Sequence, residues 1–309
     1  MTDIVGKRFW FFVAAGAVIL FCIISLGRFG LKPGIELSSG SLLTINFEQT
    51  VNEDDLKQEL ADLGYSEAIV QKTGEGGFLI RTSELTSQSK TTLEEGLTDR
   101  FGPATEAEFY SVSPMVASET ARNAGIAIGV AAVGILLYIT WAFRKMPHPF
   151  RYGTCAVIAL GHDALVALGV FAVLGGILGW EINLMFITGI LAVLGYSINN
   201  TVVVFDRIRE NLLLGVSSDF ETVVNRSLVE TLSRSLNTSL TTLLVVLALL
   251  FFVGATIQNF AVVLLIGIVA GTFSSLCIAP NLLVVWEKGG WRQLFKRPPK
   301  PALKANNTQ

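Results

Sequence analysis

His162 and Asp163 place an imidazole and a carboxyl group next to each other near the middle of an apolar run from about Tyr152 to Leu174. A carboxyl group inside a membrane-length helix is costly unless it is neutral, paired or reached by water. Where water reaches it, it can bind and release protons. The blander reading is a protonated Asp163 hydrogen-bonded to a neighbouring helix, and the residues alone leave both open. Neighbours on a helix point about 100° apart, so His162 and Asp163 need not touch.

Two further polar groups interrupt apolar runs. The first is Ser197, Asn199, Asn200 and Thr201, followed by Asp206, Arg207 and Arg209 where the apolar phase ends. The second lies in 233–242, where Arg234, Thr238, Thr241 and Thr242 share a helical face at i, i+4, i+7 and i+8. Asn200 sits roughly 7 Å from the end of its span, at 1.5 Å per residue, and Thr238 lies at similar depth. Antiparallel packing of these two helices would gather amides, hydroxyls and a guanidinium into one polar seam. Single Ser and Thr residues read as interhelical glue worth roughly 0.6 kcal/mol per contact. The cluster with Arg234 reads as a functional seam. Asp206 with Arg207 and Arg209 reads as an interfacial charge cluster that fixes the helix end.

No nucleophile elbow, Gly-rich phosphate loop or His/Cys metal spacing occurs in the chain, which argues against an enzyme, a cofactor and a metal. The three cysteines, Cys22, Cys155 and Cys277, all lie in apolar runs, unlike a disulfide framework or a zinc site.

The elements that must position these groups are membrane helices. Over 309 residues the chain is 51% hydrophobic with a mean hydropathy of +0.56. Only 16% of it is charged, against roughly a quarter in soluble domains. The first span runs from about Phe9 to Leu26 behind Lys7 and Arg8, which predicts a cytoplasmic N-terminus. It is too long for a signal h-region, and Gly27-Arg28-Phe29 is a poor cleavage site, so it reads as an uncleaved anchor. Further spans are expected at about 123–143, with Gly125 and Gly129 as a small-xxx-small pair, and at 152–174 and 184–205. The fifth starts in the polar stretch at Ser233 and ends near Gly254; the sixth covers about 258–285, with Gly267 and Gly271 one turn apart. An amphipathic cytoplasmic connection, 212–232, opens with the capping-box-like Ser218-Asp219-Phe220-Glu221. The loop 144–151 and the tail 287–309 are basic, so the positive-inside rule puts both termini in the cytoplasm.

Residues 32–118 are different in kind. Strands are predicted at 41–47, 68–73, 78–82 and 106–112, with a Gly74-Glu75-Gly76-Gly77 turn, and helices at 52–63 and 87–101. The order β-α-β-β-α-β is that of a ferredoxin-like domain. Its acids, such as Glu53, Asp54, Asp55, Glu94 and Glu95, make it a poor binder of nucleic acid. The expected fold is thus a polytopic α-helical membrane protein of about six spans carrying one small α+β domain on the outside.

The stretch Gly195-Tyr196-Ser197-Ile198-Asn199-Asn200-Thr201-Val202-Val203-Val204-Phe205-Asp206-Arg207-Ile208-Arg209-Glu210-Asn211 closely resembles the fourth-helix signature of the SecF family of protein-export membrane subunits. Ser233-Arg234-Ser235-Leu236-Asn237-Thr238-Ser239-Leu240-Thr241-Thr242 resembles the fifth-helix start of that family, and His162-Asp163 its third-helix pair. The resemblance covers the whole chain. It implies an accessory subunit of the Sec translocase in the bacterial cytoplasmic membrane, forming half of an RND-like core. The implied partners are SecD, the Sec channel complex, exported polypeptides and membrane lipid. The implied work is late, proton-motive-force-dependent export. Asn200 departs from the family, which has a proton-carrying Asp there, while Arg234 matches the family's partner arginine. The family's Asp-Phe-x-Gly-Gly motif stands here as Glu36-Leu37-Ser38-Ser39-Gly40, and with one glycine left its sharp turn is expected to be relaxed or differently built. Two alternatives remain: a SecF-like scaffold that carries no protons, and a free-standing RND-like exporter of small molecules.

Overall fold

The computed structural model describes residues 3–73, 77–252 and 257–289. In chain order its elements are α1 (Arg8–Phe29), α2 (Ile35–Ser38), β1 (Gly40–Phe47), α3 (Glu53–Asp62), β2 (Ile69–Lys72), β3 (Phe78–Thr82), α4 (Ser87–Phe101) and β4 (Ala104–Val112). Then follow α5 (Pro114–Ala142), α6 (Pro149–Leu178), α7 (Leu184–Leu213), α8 (Phe220–Phe252), α9 (Gln258–Phe273), a π-helical segment Ser274–Ile278, and α10 (Ala279–Glu287). Among the described residues, six helical stretches are long and apolar enough to cross a membrane. The expected fold class is the observed one. The predicted 74–77 turn lies mostly outside the described residues, as do the end of the fifth span near Gly254 and the tail from residue 290 onward.

The chain forms two compact units, 32–128 with 180–187, and the remainder. In the first, four antiparallel strands pair in the order β2-β3-β1-β4, the split βαβ arrangement predicted from the element order. The period of two in β1 and β3 sends Leu43, Ile45, Phe78 and Ile80 to one face. The i, i+4 pairs Leu56/Leu60 and Leu93/Leu97 of α3 and α4 cover that face. Asn52 caps α3 by accepting from the amide of Asp54, and Thr86 caps α4 through the amide of Ser89.

The stretch before β1 corrects an expectation. The turn is not relaxed: Ser39 takes φ 67° and ψ 166°, a region almost reserved for glycine, and Gly40 follows at φ 127°. A Cβ on Gly40 would lie 2.6 Å from the carbonyl oxygen of Thr82, so this glycine is required where β1 and β3 meet. Serine holds the conformation because its surroundings fix it. Its neighbour Ser38 accepts from Arg81, whose guanidinium also reaches the Pro33 carbonyl and Glu181. The chain at 32–34 in turn exchanges backbone hydrogen bonds with Ile182. Ser39→Gly is therefore expected to stabilise this unit by about 1 kcal/mol, the strain relieved less the added freedom of the unfolded glycine. A higher midpoint in thermal unfolding of the detergent-solubilised protein would show it.

In the helical unit, α1 and α9 come close to α6 and α7 over glycines. Gly267 and Gly271 of α9 receive Val193 and Ser197, as their one-turn spacing suggested, and Gly169 and Gly176 of α6 receive Cys22 and Phe29. Gly125 and Gly129 meet nothing within 4 Å, so the small pair of α5 is not an internal contact among the described residues. At one end of the unit Phe143, Tyr152 and Phe205 stack and cross in a buried aromatic cluster with Ile208, Val224 and Leu283. Below it, Glu221 binds both Arg8 and Lys288, Asn225 accepts from the amides of Ile4 and Val5, and Arg151 pairs with Glu287.

Two expected boundaries move. The amphipathic connection and the fifth span are one unbroken helix, α8, because no Gly or Pro interrupts 220–252. Its cap is Asp219 rather than Ser218: the carboxylate accepts from both the amide and the hydroxyl of Thr222. Those bonds, with Lys288 nearby, hold the Asp219 carboxyl below its usual range. The stabilisation this adds is present above the ordinary Asp range and is lost as pH falls through the depressed value.

Candidate functional site

Asp163 is completely buried, and its partners come from three helices. The hydroxyl of Ser197 on α7 donates to Oδ2 at 2.6 Å, and the hydroxyl of Ser274, first residue of the π segment, donates to the same oxygen at 2.8 Å. Nδ1 of His162 lies 3.0 Å from Oδ1, so the adjacent pair on α6 does touch. Ser274 follows Gly267 and Gly271 along the face of the sixth span turned to α7, its amide still bonded to the Ala270 carbonyl, and the π segment begins there. Two serine hydroxyls converge on Oδ2 and a histidine ring nitrogen faces Oδ1, so both oxygens of this buried carboxyl group have polar partners. Phe273, the last residue before the wide turn, lies against the His162 ring at 6.3 Å.

A second polar region runs between α7 and α8. Arg207 binds Glu230 at 2.7 Å, the Asn211 amide donates to Ser227 and Glu230, and the Tyr196 hydroxyl reaches Ser239 at 3.0 Å. Ser239 continues to Thr272 of α9 at 2.6 Å. These contacts set an antiparallel register in which Asn200, one turn beyond Tyr196, is level with Ser235, one turn before Ser239. Asn200 is 3% exposed, and neither its Nδ2 nor the Ser235 hydroxyl has a partner.

The register corrects the expected seam by about one helical position. The face of α8 turned inward carries Ser227, Thr231, Ser235 and Ser239, all buried and spaced by four. Arg234, Thr238 and Thr241 are exposed and Thr242 is half-buried; Thr238, Thr241 and Thr242 bond backbone carbonyls of their own helix. The structure thus gathers Asp163 with His162, and places Asn200 on the inner seam. It leaves Arg234 and its threonines on the outside, and puts Asn199 at a groove beside Gly195 and Tyr138.

The Asp206, Arg207 and Arg209 cluster does not end its helix, because α7 continues to Leu213. Arg209 pairs with Asp206 along the helix, while Arg207 ties α7 to α8. Sequence reasoning missed Ser274 and the Ser227/Thr231/Ser235/Ser239 ladder. The ladder had a visible signal in its spacing of four. Ser274 had one too, three residues after Gly271 on the face that Gly267 and Gly271 share.

Among the described residues, no group of three or more His, Cys, Asp or Glu side chains could hold a metal ion. Glu36 and the residues 38–40 lie in the α+β unit, in the turn described above.

Comparisons agree on what kind of chain this is. The family model described as protein export membrane protein SecD/SecF, C-terminal, matches residues 92–289, and that of the SecD/SecF GG motif matches residues 24–51. The second match includes the Ser39-Gly40 turn, which keeps its bend with one glycine replaced. The protein translocase subunit SecF of Thermobaculum terrenum is 45% identical, covering 96% of this chain and 98% of that protein. The SecF of Anaerolinea thermophila is 40% identical, covering 98% and 99%. The crystal structure of SecDF from Thermus thermophilus, described as a translocon-associated membrane protein, superposes with a TM-score of 0.80 at 32% identity over 93% of this chain. The chain spans 39% of that longer SecDF chain. With 45% and 40% identity to two SecF subunits over nearly their full length, and both family models matched, the chain belongs to the SecF family of protein translocase subunits.

Proposed function

We propose that this subunit works with a SecD half in the bacterial cytoplasmic membrane to draw polypeptide outward at the expense of the proton-motive force. In this reading Asp163 is the titrating group of the SecF half. The observation that carries it is one fully buried carboxyl group whose polar partners, His162, Ser197 and Ser274, come from α6, α7 and the π segment. Binding a proton there would weaken the hold of Ser197 and Ser274 on Oδ2 and loosen α7 and the π segment from α6. Releasing it would restore them. Asn200, at the position where the family resemblance expects the carrier, has an amide that cannot titrate.

The partner is supported by the outer face of α8. Arg234, Asn237, Thr238 and Thr241 are exposed on a helix long and apolar enough to span. Polar groups at such a position call for a protein surface rather than lipid. Orientation is supported by the basic residues Arg8, Arg151 and Lys288, which all join the ion pairs at one end of the helical unit. That reading puts both termini and the residues of the tail in the cytoplasm, and the domain 32–118 outside, where it would handle the emerging chain beside the Sec channel.

The test is gradient-dependent export in vesicles reconstituted with the channel, the ATP-driven motor, SecD and this subunit. Asp163→Asn is expected to lower the part of export that an imposed proton gradient adds by about tenfold or more, leaving ATP-driven export intact. Asn200→Asp is expected to leave that part in place. Undiminished gradient-driven export by Asp163→Asn would leave the subunit as a scaffold.

A further inference from the structure

At the end of the helical unit that carries Arg8 and Lys288, most cations hold a carboxylate. Arg8 and Lys288 bind Glu221, Arg151 binds Glu287, Arg207 and Arg226 bind Glu230, and Arg209 binds Asp206. Lys7, Arg144 and Lys145 have no acidic partner among the described residues, and the last two are consecutive in the connection between α5 and α6. Their exposure follows from the turn that holds them. Phe143 and Met146, on either side of the pair, are buried in the core, and the amides of Arg144 and Met146 bond back to the carbonyls of Trp141 and Phe143. With its flanks pinned, the turn leaves both cations exposed to the surroundings.

We propose that Arg144 and Lys145 bind the phosphate of an acidic phospholipid, whose acyl chains enter the bilayer beside Trp141 and Phe150. The place follows from the chain: residues 143–148 are all that joins two spanning helices, so the turn lies at the membrane boundary. Trp141 is 62% exposed and Phe150 56%, and aromatic rings at this level suit the interface between head groups and acyl chains. The Arg144 guanidinium lies over the Trp141 ring at 4.6 Å. Stacked by its face, it keeps its N–H edge free for phosphate oxygens. Charge complementarity selects the head. A zwitterionic head carries its own cation beside the phosphate, whereas an acidic one gains about fivefold in affinity for each cation near the surface. A soluble anion would meet the charges but leave the two rings unused. This inference does not depend on proton-driven export.

The probe is phosphatidylglycerol with a diazirine high on one acyl chain, a minor component of phosphatidylcholine nanodiscs that hold the full-length subunit. After photolysis the labelled peptides are mapped, and label is expected to concentrate on 138–150. The same probe with a choline head should label that stretch about tenfold less. Arg144→Gln with Lys145→Gln should lower phosphatidylglycerol labelling there about 25-fold, a factor of about five for each charge, and leave labelling of the basic tail unchanged. Both side chains are exposed, so the thermal midpoint of this variant should stay in place. Exchanging the two cations, Arg144→Lys with Lys145→Arg, should keep most of the label. Equal labelling by the two heads would make the turn an ordinary bilayer contact. Undiminished labelling of the double glutamine variant would take the two cations out of the site. Displacement by soluble glycerol phosphate would make it a site for free anions. Loss of label once SecD is reconstituted alongside would assign the turn to the partner protein. Any of these four results overturns the inference.

Discussion

Gly169→Val is expected to cost about 3 kcal/mol or more and to remove most of the folded protein from a detergent extract. A Cβ at this position of α6 would lie 2.3 Å from Cβ of Cys22 and 2.7 Å from its Cα. The second of these is backbone, so no rotamer change relieves the contact and α1 itself must move away. Packing between α1 and α6 then loosens along its length, since Phe29 sits equally close over Gly176 one end further on. Gly161→Ala is the matched control. It lies on the same helix with nothing within 4 Å of its Cβ position, and alanine in place of a helical glycine is neutral or stabilising. Gly267→Ala should fall between them, because the obstacle there is the Val193 side chain; Val193→Ala should restore much of the loss. Size-exclusion profiles and thermal midpoints of the solubilised variants measure all four.

Removing both hydroxyls from the carboxyl site is the second large effect. Ser197→Ala with Ser274→Ala leaves Oδ2 of Asp163 without either donor in a fully buried position. Leaving a buried polar oxygen without its partners costs about 1–3 kcal/mol, and more where it is charged. The same two substitutions in an Asp163→Leu background should cost less than half as much, because no carboxyl group is left to satisfy. The difference is the coupling energy of the cluster, and thermal midpoints of the four proteins give it. Additive losses would mean that the serines act through packing alone.

Much of this architecture is legible in the sequence, for reasons that differ from element to element. The α+β domain follows from alternation and from local caps, and β3 and α4 fall on their predicted residues because Phe78, Ile80, Leu93 and Leu97 obey simple periods. The spans follow from hydropathy; the contact of His162 with Asp163 does not, because helix neighbours about 100° apart need not touch. The facing of α8 was harder. Its hydroxyls at 227, 231, 235 and 239 and its polar residues at 234, 238 and 241 have the same spacing, and periodicity alone does not say which stripe turns inward. Tertiary contacts from Tyr196 and Glu230 decide it. The Ser39 turn was misread because the rule that glycine serves such a conformation is a preference, and a well-anchored neighbourhood can hold a serine there. Ser274 shares the stripe of Gly267 and Gly271, but one serine on an apolar helix does not say which side chain it meets.

The ion pairs of Glu221 also bear on how the chain is made. Glu221 holds Arg8, 213 residues earlier, and Lys288, 67 residues later. The ribosome therefore releases the first helix and the start of α8 long before Lys288, the second partner of Glu221, exists. At 5–20 residues per second the wait is about 3–13 s. Through that interval Glu221 has Arg8 but not Lys288, and α9 and α10 are still to be inserted. Completion is timed by the last helix, so truncations or stalls shortly before Lys288 should accumulate inserted but unlocked chains, open to membrane proteases that the finished subunit resists.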